Sequence, residues 1–401
     1  MRVLVVAPTI NAEDIGEAWV AYQWAHHLQH SVDLTVLTYP KRGQSPIAPQ
    51  LPQARVVQWR ELPGVGRLER FNSLLKPSYY PFYLGARRWI ARHRGAFDVG
   101  IQPLPVAMRY PSPLLGGDFP WVMGPVGGGL ASPPGFVAEE TGPWYLGLRR
   151  LDRARLRCER PLRATYGQAD CVVGIADYVR DNLDGVALRR FATMSETGLD
   201  AMPPQTPRAV GEVPTRQNPL RLLFVGRLIR TKGARDAIAA MAMLEDVWVR
   251  LDIVGDGFDR HECEQLVARL GLRDRVRFHG RVDHDEVDRF YRDADVFCFP
   301  SYREPGGNVV FEAMGHSLPL IVCQRGGPGA AVDDECAIRL PAEDPHQLAA
   351  AVAGAVRELA ADPQRRHQMG QASRSRLAQV GLWPAKVERM LGLCRELIHQ
   401  T

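Results

Sequence analysis

Several features that mark other classes of protein are missing from this 401-residue sequence. It has no apolar run of about 18 residues, the length that a membrane-spanning helix needs. Its seven cysteines form no Cys-x-x-Cys pair and its 11 histidines form no His-Glu-x-x-His motif, so we predict no metal site. Only four of its 50 basic residues are lysines, and the formal charge of +5 does not imply a nucleic-acid partner. These absences favour a cytoplasmic protein, soluble or at most associated with a membrane surface.

What the sequence does contain is an alternation of short apolar runs and longer helical patterns. This alternation is typical of βαβ units around parallel sheets, and the length suits two domains. The stretch 201–219 is rich in proline and lacks apolar periodicity. We therefore predict an N-terminal domain over 1–200, a linker over 201–219 and a C-terminal domain over 220–380.

The individual elements follow from the same periodicities. Strands are predicted at 2–7, 32–38, 55–59, 98–102, 120–123, 170–174, 191–195, 220–225, 248–254, 275–279, 295–299, 319–323 and 337–340. Helices are predicted at 16–30, 80–94, 143–168, 176–184, 232–244, 259–270, 285–293, 308–316, 344–360, 363–378 and 384–399.

The most informative motif, ADVFCFPSYREPGGNVVFEAMGHSLPLIVC, spans 295–323. It predicts a buried strand, a polar loop with Glu304, and a helix from about Asn308 with Glu312 one turn inside. The two glycines before the helix let backbone approach a ligand closely, and the N–H groups of a first helical turn suit a phosphate. Glu304 could accept hydrogen bonds from sugar hydroxyls and Glu312 from a ribose. The alternative is that Glu304 merely caps the helix and Glu312 is solvated.

Two further strand-loop motifs precede it. In FVGRLIRTKG, residues 224–233, a strand ends before Gly226, and Arg227 and Lys232 could neutralise a diphosphate without a metal ion. The alternative is an ordinary loop with surface cations. In the run 251–297, Val282 follows a strand and could contact a base, while Gly255-Asp256-Gly257 is equally explained as a turn.

In their order and spacing, these three motifs resemble glycosyltransferase family 4. The resemblance covers 220–323 and, more loosely, 324–380. It implies the GT-B fold, an α/β architecture of two Rossmann-like domains whose parallel sheets face each other across a cleft. It also implies that a last helix, within 381–401, returns to the N-terminal domain.

The activity that the resemblance implies is transfer of a sugar, with retention of configuration, from a nucleotide diphosphate sugar to a hydroxyl group. This hexosyltransferase chemistry uses no metal ion and no cofactor. A UDP-sugar is favoured as donor because it is frequent in the family. The acceptor would be a small molecule, glycan or glycolipid, in cell-surface glycan or natural-product (antibiotic) assembly.

The resemblance also implies roles for residues. Arg227 and Lys232 would bind the donor diphosphate and, with Glu304 at the donor sugar, form the catalytic set. The donor-binding residues would be Gly16, Gly226, Val282, Gly306, Gly307, Asn308, Val309 and Glu312. The sequence departs from the family at Ser317, where many members have glycine, and in 121–129, which lacks the histidine that touches the sugar in many members.

The N-terminal half offers weaker candidates for an acceptor site. The triple glycine 127–129 could direct backbone N–H groups at a ligand or form a flexible loop. The arginine-rich stretch 143–163 could meet an anionic lipid headgroup or be a solvated helix. The aromatic segment 79–89 could be an acceptor platform, but core is the simpler interpretation.

Three alternative functions stay open at this point. A nicotinamide-dependent oxidoreductase is disfavoured because no Gly-x-Gly-x-x-Gly turn follows the first strand. A nucleotide-sugar epimerase of the same fold would need other acid-base residues. A non-catalytic nucleotide-sugar-binding protein could have the same set of site residues, so only activity would separate it from an enzyme.

Overall fold

The computed structural model describes residues 1–14, 16–39, 45–59, 78–140, 151–204 and 210–400. The chain divides into two compact units. The first comprises Met1–Gly129, Trp144–Glu196 and Trp383–Thr401, and the second Leu130–Pro143 and Thr197–Leu382. The predicted helix at the end of the chain is therefore part of the first unit, and residues 130–143 are part of the second.

The first unit is built on a seven-stranded parallel sheet in the order β3-β2-β1-β4-β5-β6-β7. Its strands are β1 (Arg2–Val6), β2 (Asp33–Thr38), β3 (Arg55–Gln58), β4 (Val99–Gln102), β5 (Trp121–Val126), β6 (Cys171–Gly174) and β7 (Phe191–Thr193). Its helices are α1 (Glu17–Leu28), α2 (Tyr79–Arg92), α3 (Leu151–Cys158), α4 (Arg160–Gln168), α5 (Tyr178–Asn182) and α13 (Trp383–Gln400).

The second unit contains a six-stranded parallel sheet in the order β10-β9-β8-β11-β12-β13. Its strands are β8 (Leu220–Val225), β9 (Val249–Val254), β10 (Val276–Gly280), β11 (Val296–Phe299), β12 (Leu320–Cys323) and β13 (Ala337–Leu340). Its helices are α6 (Ala234–Ala242), α7 (Arg260–Arg269), α8 (His284–Asp293), α9 (Asn308–Gly315), α10 (Gly326–Ala331), α11 (Pro345–Ala361) and α12 (Pro363–Val380).

Burial on both faces explains why the central strands are continuous apolar runs. Every residue of β5, β11 and β12 is buried, as expected for parallel strands covered by helices on each side. In the first unit, α13 packs beside α1, and the Trp24 and Trp383 rings meet edge to face at 5.1 Å. The predicted fold class, GT-B with two Rossmann-like α/β units, is confirmed.

The structure corrects the helix predicted over 143–168. Residues 141–150 lie outside the described residues, and the remainder forms two helices that are separated at Glu159. Glu159 has an extended backbone, with φ −79° and ψ 108°. Pro161, in the first turn of α4, explains the break, because proline cannot donate a backbone hydrogen bond inside a continuous helix.

Candidate active site

The candidate site lies at the carboxyl ends of two adjacent strands of the second sheet. β8 and β11 are hydrogen-bonded neighbours, so the loops that follow them leave the sheet at the same edge. Lys232 ends a short 3₁₀ turn, Arg230–Lys232, after β8, and Glu304 lies in the loop after β11. Ligands of parallel α/β sheets bind at this edge.

Lys232 and Glu304 form an ion pair between Nζ and Oε2. Their side chains are only 11% and 12% exposed, so the pair is largely removed from water. The other carboxylate oxygen of Glu304 accepts a hydrogen bond of 3.2 Å from the Gly306 N–H. The structure thus brings together three predicted site residues from two motifs that are far apart in the sequence.

Two arginines, Arg227 and Arg303, lie close enough to Lys232 to repel its charge. Burial, followed by repulsion from Arg227 and Arg303, lowers the pKa of Lys232 to about 7, and its contact with Glu304 acts in the opposite direction. The Arg227 side chain is exposed and makes no hydrogen bond or ion pair with a described residue. Lys232 pairs with Glu304 and Arg303 with Glu140, so Arg227 is the cation of this described cluster without an acidic partner, and it is suited to an anion.

Glu312 is oriented by two partners on its carboxylate. Tyr291 Oη donates a hydrogen bond of 2.9 Å to Oε2, and Asn308 Nδ2 donates one of 3.0 Å to Oε1. Asn308 and Val309 are the first two residues of α9, where backbone N–H groups have no acceptor within the helix. These groups and Glu312 offer donors and an acceptor within a single helical turn.

Close packing explains the glycines of this site. Gly307 precedes α9 with φ +95°, a conformation that side chains disfavour. Gly326 and Gly327, after β12, pack directly beneath the loop of Glu304, and the Gly327 N–H donates a 2.9 Å hydrogen bond to the Glu304 carbonyl. Gly226 ends its strand with an N–H bond of 3.0 Å to the Val254 carbonyl.

Two of the predicted donor-binding residues lie away from this cluster. Val282 follows the edge strand β10 and lines a cavity of about 660 Å³ together with His279 and Phe290. Gly16 belongs to the first unit, where it precedes α1 with φ +120° and open space around its Cα.

The triple glycine 127–129 is packed within the first unit. The Gly127 N–H already donates to the Val106 carbonyl at 3.0 Å, and the Gly127 carbonyl accepts a 2.6 Å bond from Tyr178. The Gly128 carbonyl accepts a 3.0 Å bond from Asn182. The Gly127 N–H and the carbonyls of Gly127 and Gly128 thus have partners within the unit.

The other acceptor-site candidates are divided between core and surface. Tyr79 and Phe82 are buried in the first unit, whereas Tyr80 is 49% exposed. Of the arginine-rich stretch 143–163, residues 143–150 lie outside the described residues. No helix in the described part of the chain is long and apolar enough to cross a bilayer.

Sequence reasoning missed Arg303 and Tyr291. Arg303 lies next to Glu304 in the motif, but nothing in its spacing distinguished it from the many other arginines. Tyr291 belongs to the apolar face of α8, where an aromatic residue is more simply interpreted as core. The contact between its hydroxyl and Glu312 depends on the order of the strands in the sheet, which brings α8 and α9 together.

The fold is that of an α/β protein with two units, each built on a parallel sheet, and comparison with known proteins is more specific. Residues 207–376 match the family model described as "Glycosyl transferases group 1". A lipopolysaccharide core biosynthesis glycosyltransferase, LpsD of Rhizobium meliloti, is 35% identical over 167 residues, 41% of this chain and 46% of that protein. The chain spans about half the length of the curated relatives it matches.

Solved structures match the whole chain. Sucrose-phosphate synthase of Thermosynechococcus elongatus has a TM-score of 0.63 at 22% identity, covering 100% of both chains. HepE of Anabaena, in a complex with UDP, has a TM-score of 0.66 at 16% identity, covering 99% of this chain and 100% of HepE. HepE has also been solved with UDP-glucose. At these identities the structures show a shared fold.

Proposed function

We propose that this protein is a retaining glycosyltransferase that transfers a sugar from a nucleotide diphosphate sugar to a hydroxyl acceptor. The observation that carries the proposal is the juxtaposition of Lys232, Glu304 and the start of α9, beside the exposed Arg227. Cations and helix N–H groups suit the diphosphate, and the carboxylate suits sugar hydroxyls.

In the proposed reaction, the bond between the anomeric carbon and the diphosphate oxygen breaks as the acceptor oxygen bonds to the same face of that carbon. The acceptor's proton passes to the departing phosphate oxygen. Arg227 and Lys232 stabilise the negative charge that develops on the diphosphate, and Glu304 orients the sugar. Glu312, fixed by Tyr291 and Asn308, accepts hydrogen bonds from the ribose.

The comparisons support a UDP-sugar as the donor. All predicted donor residues except Gly16 lie within 207–376, the part that matches the family model. HepE, which shares the fold, binds UDP and UDP-glucose. Val282, which follows β10 at the carboxyl edge of the sheet, is the contact that we assign to the base. We also propose that the protein is a member of glycosyltransferase family 4 and acts in cell-surface glycan or natural-product assembly.

The proposal is tested by incubating the protein with UDP-glucose and other nucleotide sugars in EDTA, with simple alcohols and sugars as acceptors. We expect release of nucleoside diphosphate and a glycoside with the donor's anomeric configuration by NMR. Lys232→Met should abolish release, while the distant, exposed Arg269→Ala should not.

Other outcomes identify the alternatives. Interconversion of two nucleotide sugars without release of diphosphate would indicate an epimerase. Tight binding without turnover of any sugar would indicate a binding protein, and a requirement for a divalent cation would contradict metal independence.

A further inference from the structure

A short segment, residues 130–140, connects parts of the first unit but packs within the second. Its Phe136 is fully buried in the apolar core of the second unit. The Phe136 ring stacks on Tyr302 with centroids 3.9 Å apart and an interplanar angle of 26°. Tyr302 is only two residues before Glu304, so the segment contacts the loop that carries this carboxylate.

Hydrogen bonds also join the segment to the Glu304 loop, through Arg303 of that loop and through Arg325, which follows β12. Arg303 Nη1 donates 2.8 Å hydrogen bonds to Ser132 Oγ and to Glu140 Oε2. Arg325 donates to the Ala131 carbonyl at 2.8 Å and to the Tyr302 carbonyl at 3.3 Å. Tyr302 is therefore held through its main-chain carbonyl, and Arg303 is held through its side chain.

The segment also contacts the turn that carries Lys232. Arg230 Nε donates a 2.6 Å hydrogen bond to Glu139 Oε2, and Arg230 forms a second, buried ion pair with Asp236 at 2.6 Å. The Arg230 guanidinium lies 5.2 Å from the Phe136 ring centroid, within the range of a cation–π contact. One residue of the segment thus touches both loops of the candidate site.

We infer that residues 130–140 are a positioning segment for Glu304, with Phe136 and Glu140 as positioning residues for sugar transfer; this inference rests on the proposed function. After the buried Tyr302, the Glu304 loop continues with Pro305, Gly306 and Gly307, which are only partly buried. Its placement therefore depends on neighbours, and small misplacements of a reacting group are costly in rate. Arg227 makes no hydrogen bond or ion pair with the segment among the described residues.

The first test is hydrogen exchange in the ligand-free protein, which does not depend on activity. In Glu140→Ala and Phe136→Leu, we expect amides of 301–307 to exchange at least about tenfold faster, the scale of one lost charge-assisted hydrogen bond. Amides of 220–226 should be unchanged. Glu140→Gln keeps an acceptor oxygen and should restore most protection. Glu358→Ala, which removes an exposed ion pair with Arg365, is the matched control.

The second test compares UDP with UDP-glucose by calorimetry in the same variants. Because Glu304 is assigned to the sugar and the exposed Arg227 to the diphosphate, we expect the loss of UDP-glucose affinity to exceed the loss of UDP affinity about tenfold. A variant that is only destabilised would bind UDP and UDP-glucose equally more weakly. Unchanged exchange at 301–307, or equal losses for the two ligands, would overturn the inference. Failure of the wild-type protein to bind either ligand would instead overturn the proposed function. The hydrogen-exchange result would still show whether residues 130–140 hold the Glu304 loop in place.

Discussion

The protonation state of Lys232 makes donor binding depend on pH. Burial and two arginines lower the pKa of this amine to about 7, the contact with Glu304 acts in the opposite direction, and a bound diphosphate would raise the pKa further. Above pH 7, binding must therefore take up a proton. We expect UDP-glucose affinity to fall by up to about tenfold per pH unit as pH rises from 7 towards 9.

Calorimetry in two buffers of different ionisation enthalpy measures this proton directly. At about pH 8, the wild-type protein should take up close to one proton per UDP-glucose, and Lys232→Met should take up none and bind weakly at every pH. If the wild-type protein binds UDP-glucose equally well at pH 7 and pH 9, Lys232 is already charged in the free protein at both pH values.

Arg227 provides a second test at the level of the residue. Its exposed guanidinium has no described partner to lose, so Arg227→Ala should not affect folding. It should weaken UDP binding about 10- to 100-fold, the range for hydrogen bonds to a charged group. Arg269→Ala, on the surface of α7, is the control. Unchanged UDP affinity in Arg227→Ala would remove this residue from the site.

The sequence allowed prediction of the residue types at the site, but not of all their contacts. Glu304 and Lys232 were singled out by motif, yet their direct pairing depends on β8 and β11 being neighbours, which no local pattern encodes. Arg303 was hidden by the abundance of arginine. The roles assigned to all of these residues stay predictions, and Gly16 and Val282 also lie outside the cluster.

Among the elements, the end of α9 offers a stability test. Ser317, where many family members have glycine, adopts a left-handed backbone with φ +56°. Glycine is favoured in this conformation after a helix because it lacks a Cβ. We expect Ser317→Gly to raise the free energy of unfolding by about 0.5–1 kcal/mol. Urea unfolding measures this, and a lowered midpoint would contradict the argument.

The turn before α6 should respond in the opposite way. Gly233 has φ +81°, and an added Cβ would collide with the Pro300 carbonyl. Gly233→Ala should therefore cost at least about 2 kcal/mol and disturb the adjacent Lys232. Gly354→Ala, within α11 where no atom lies within 4 Å of the added Cβ, is the control and should stabilise by up to about 1 kcal/mol. Equal effects in urea unfolding would contradict this account.

Elements with strong periodicity were predictable, and those that depend on a single residue were not. The buried strands β5, β11 and β12 follow directly from their apolar runs. The break at Glu159 was missed because a helical pattern continues through Pro161. The short helix α10 was missed because its sequence, GGPGAA, contains poor helix formers and is shaped by packing beneath the Glu304 loop.

At the scale of the whole molecule, the two units are not contiguous in sequence. The assignment of residues 130–143 to the second unit was not anticipated, since one buried phenylalanine in a segment rich in proline and glycine produces no periodic pattern. The linker that composition predicts over 201–219 stays a prediction, and these residues are grouped with the second unit. Residues 205–209 of this linker lie outside the described residues.

The central claim is that the second unit binds a nucleotide sugar through Arg227 and Glu312. The measurement that tests it most directly is the melting temperature in EDTA with and without UDP-glucose, for the wild-type protein and for Arg227→Ala and Glu312→Ala. A ligand that binds only the folded state raises the free energy of unfolding by RT ln(1 + [L]/Kd). We predict a rise in the wild-type protein that is lost in both variants and that a nicotinamide dinucleotide does not produce. If no nucleotide sugar in a wider panel raises the melting temperature, or if the rise persists in both variants, the assigned site is wrong.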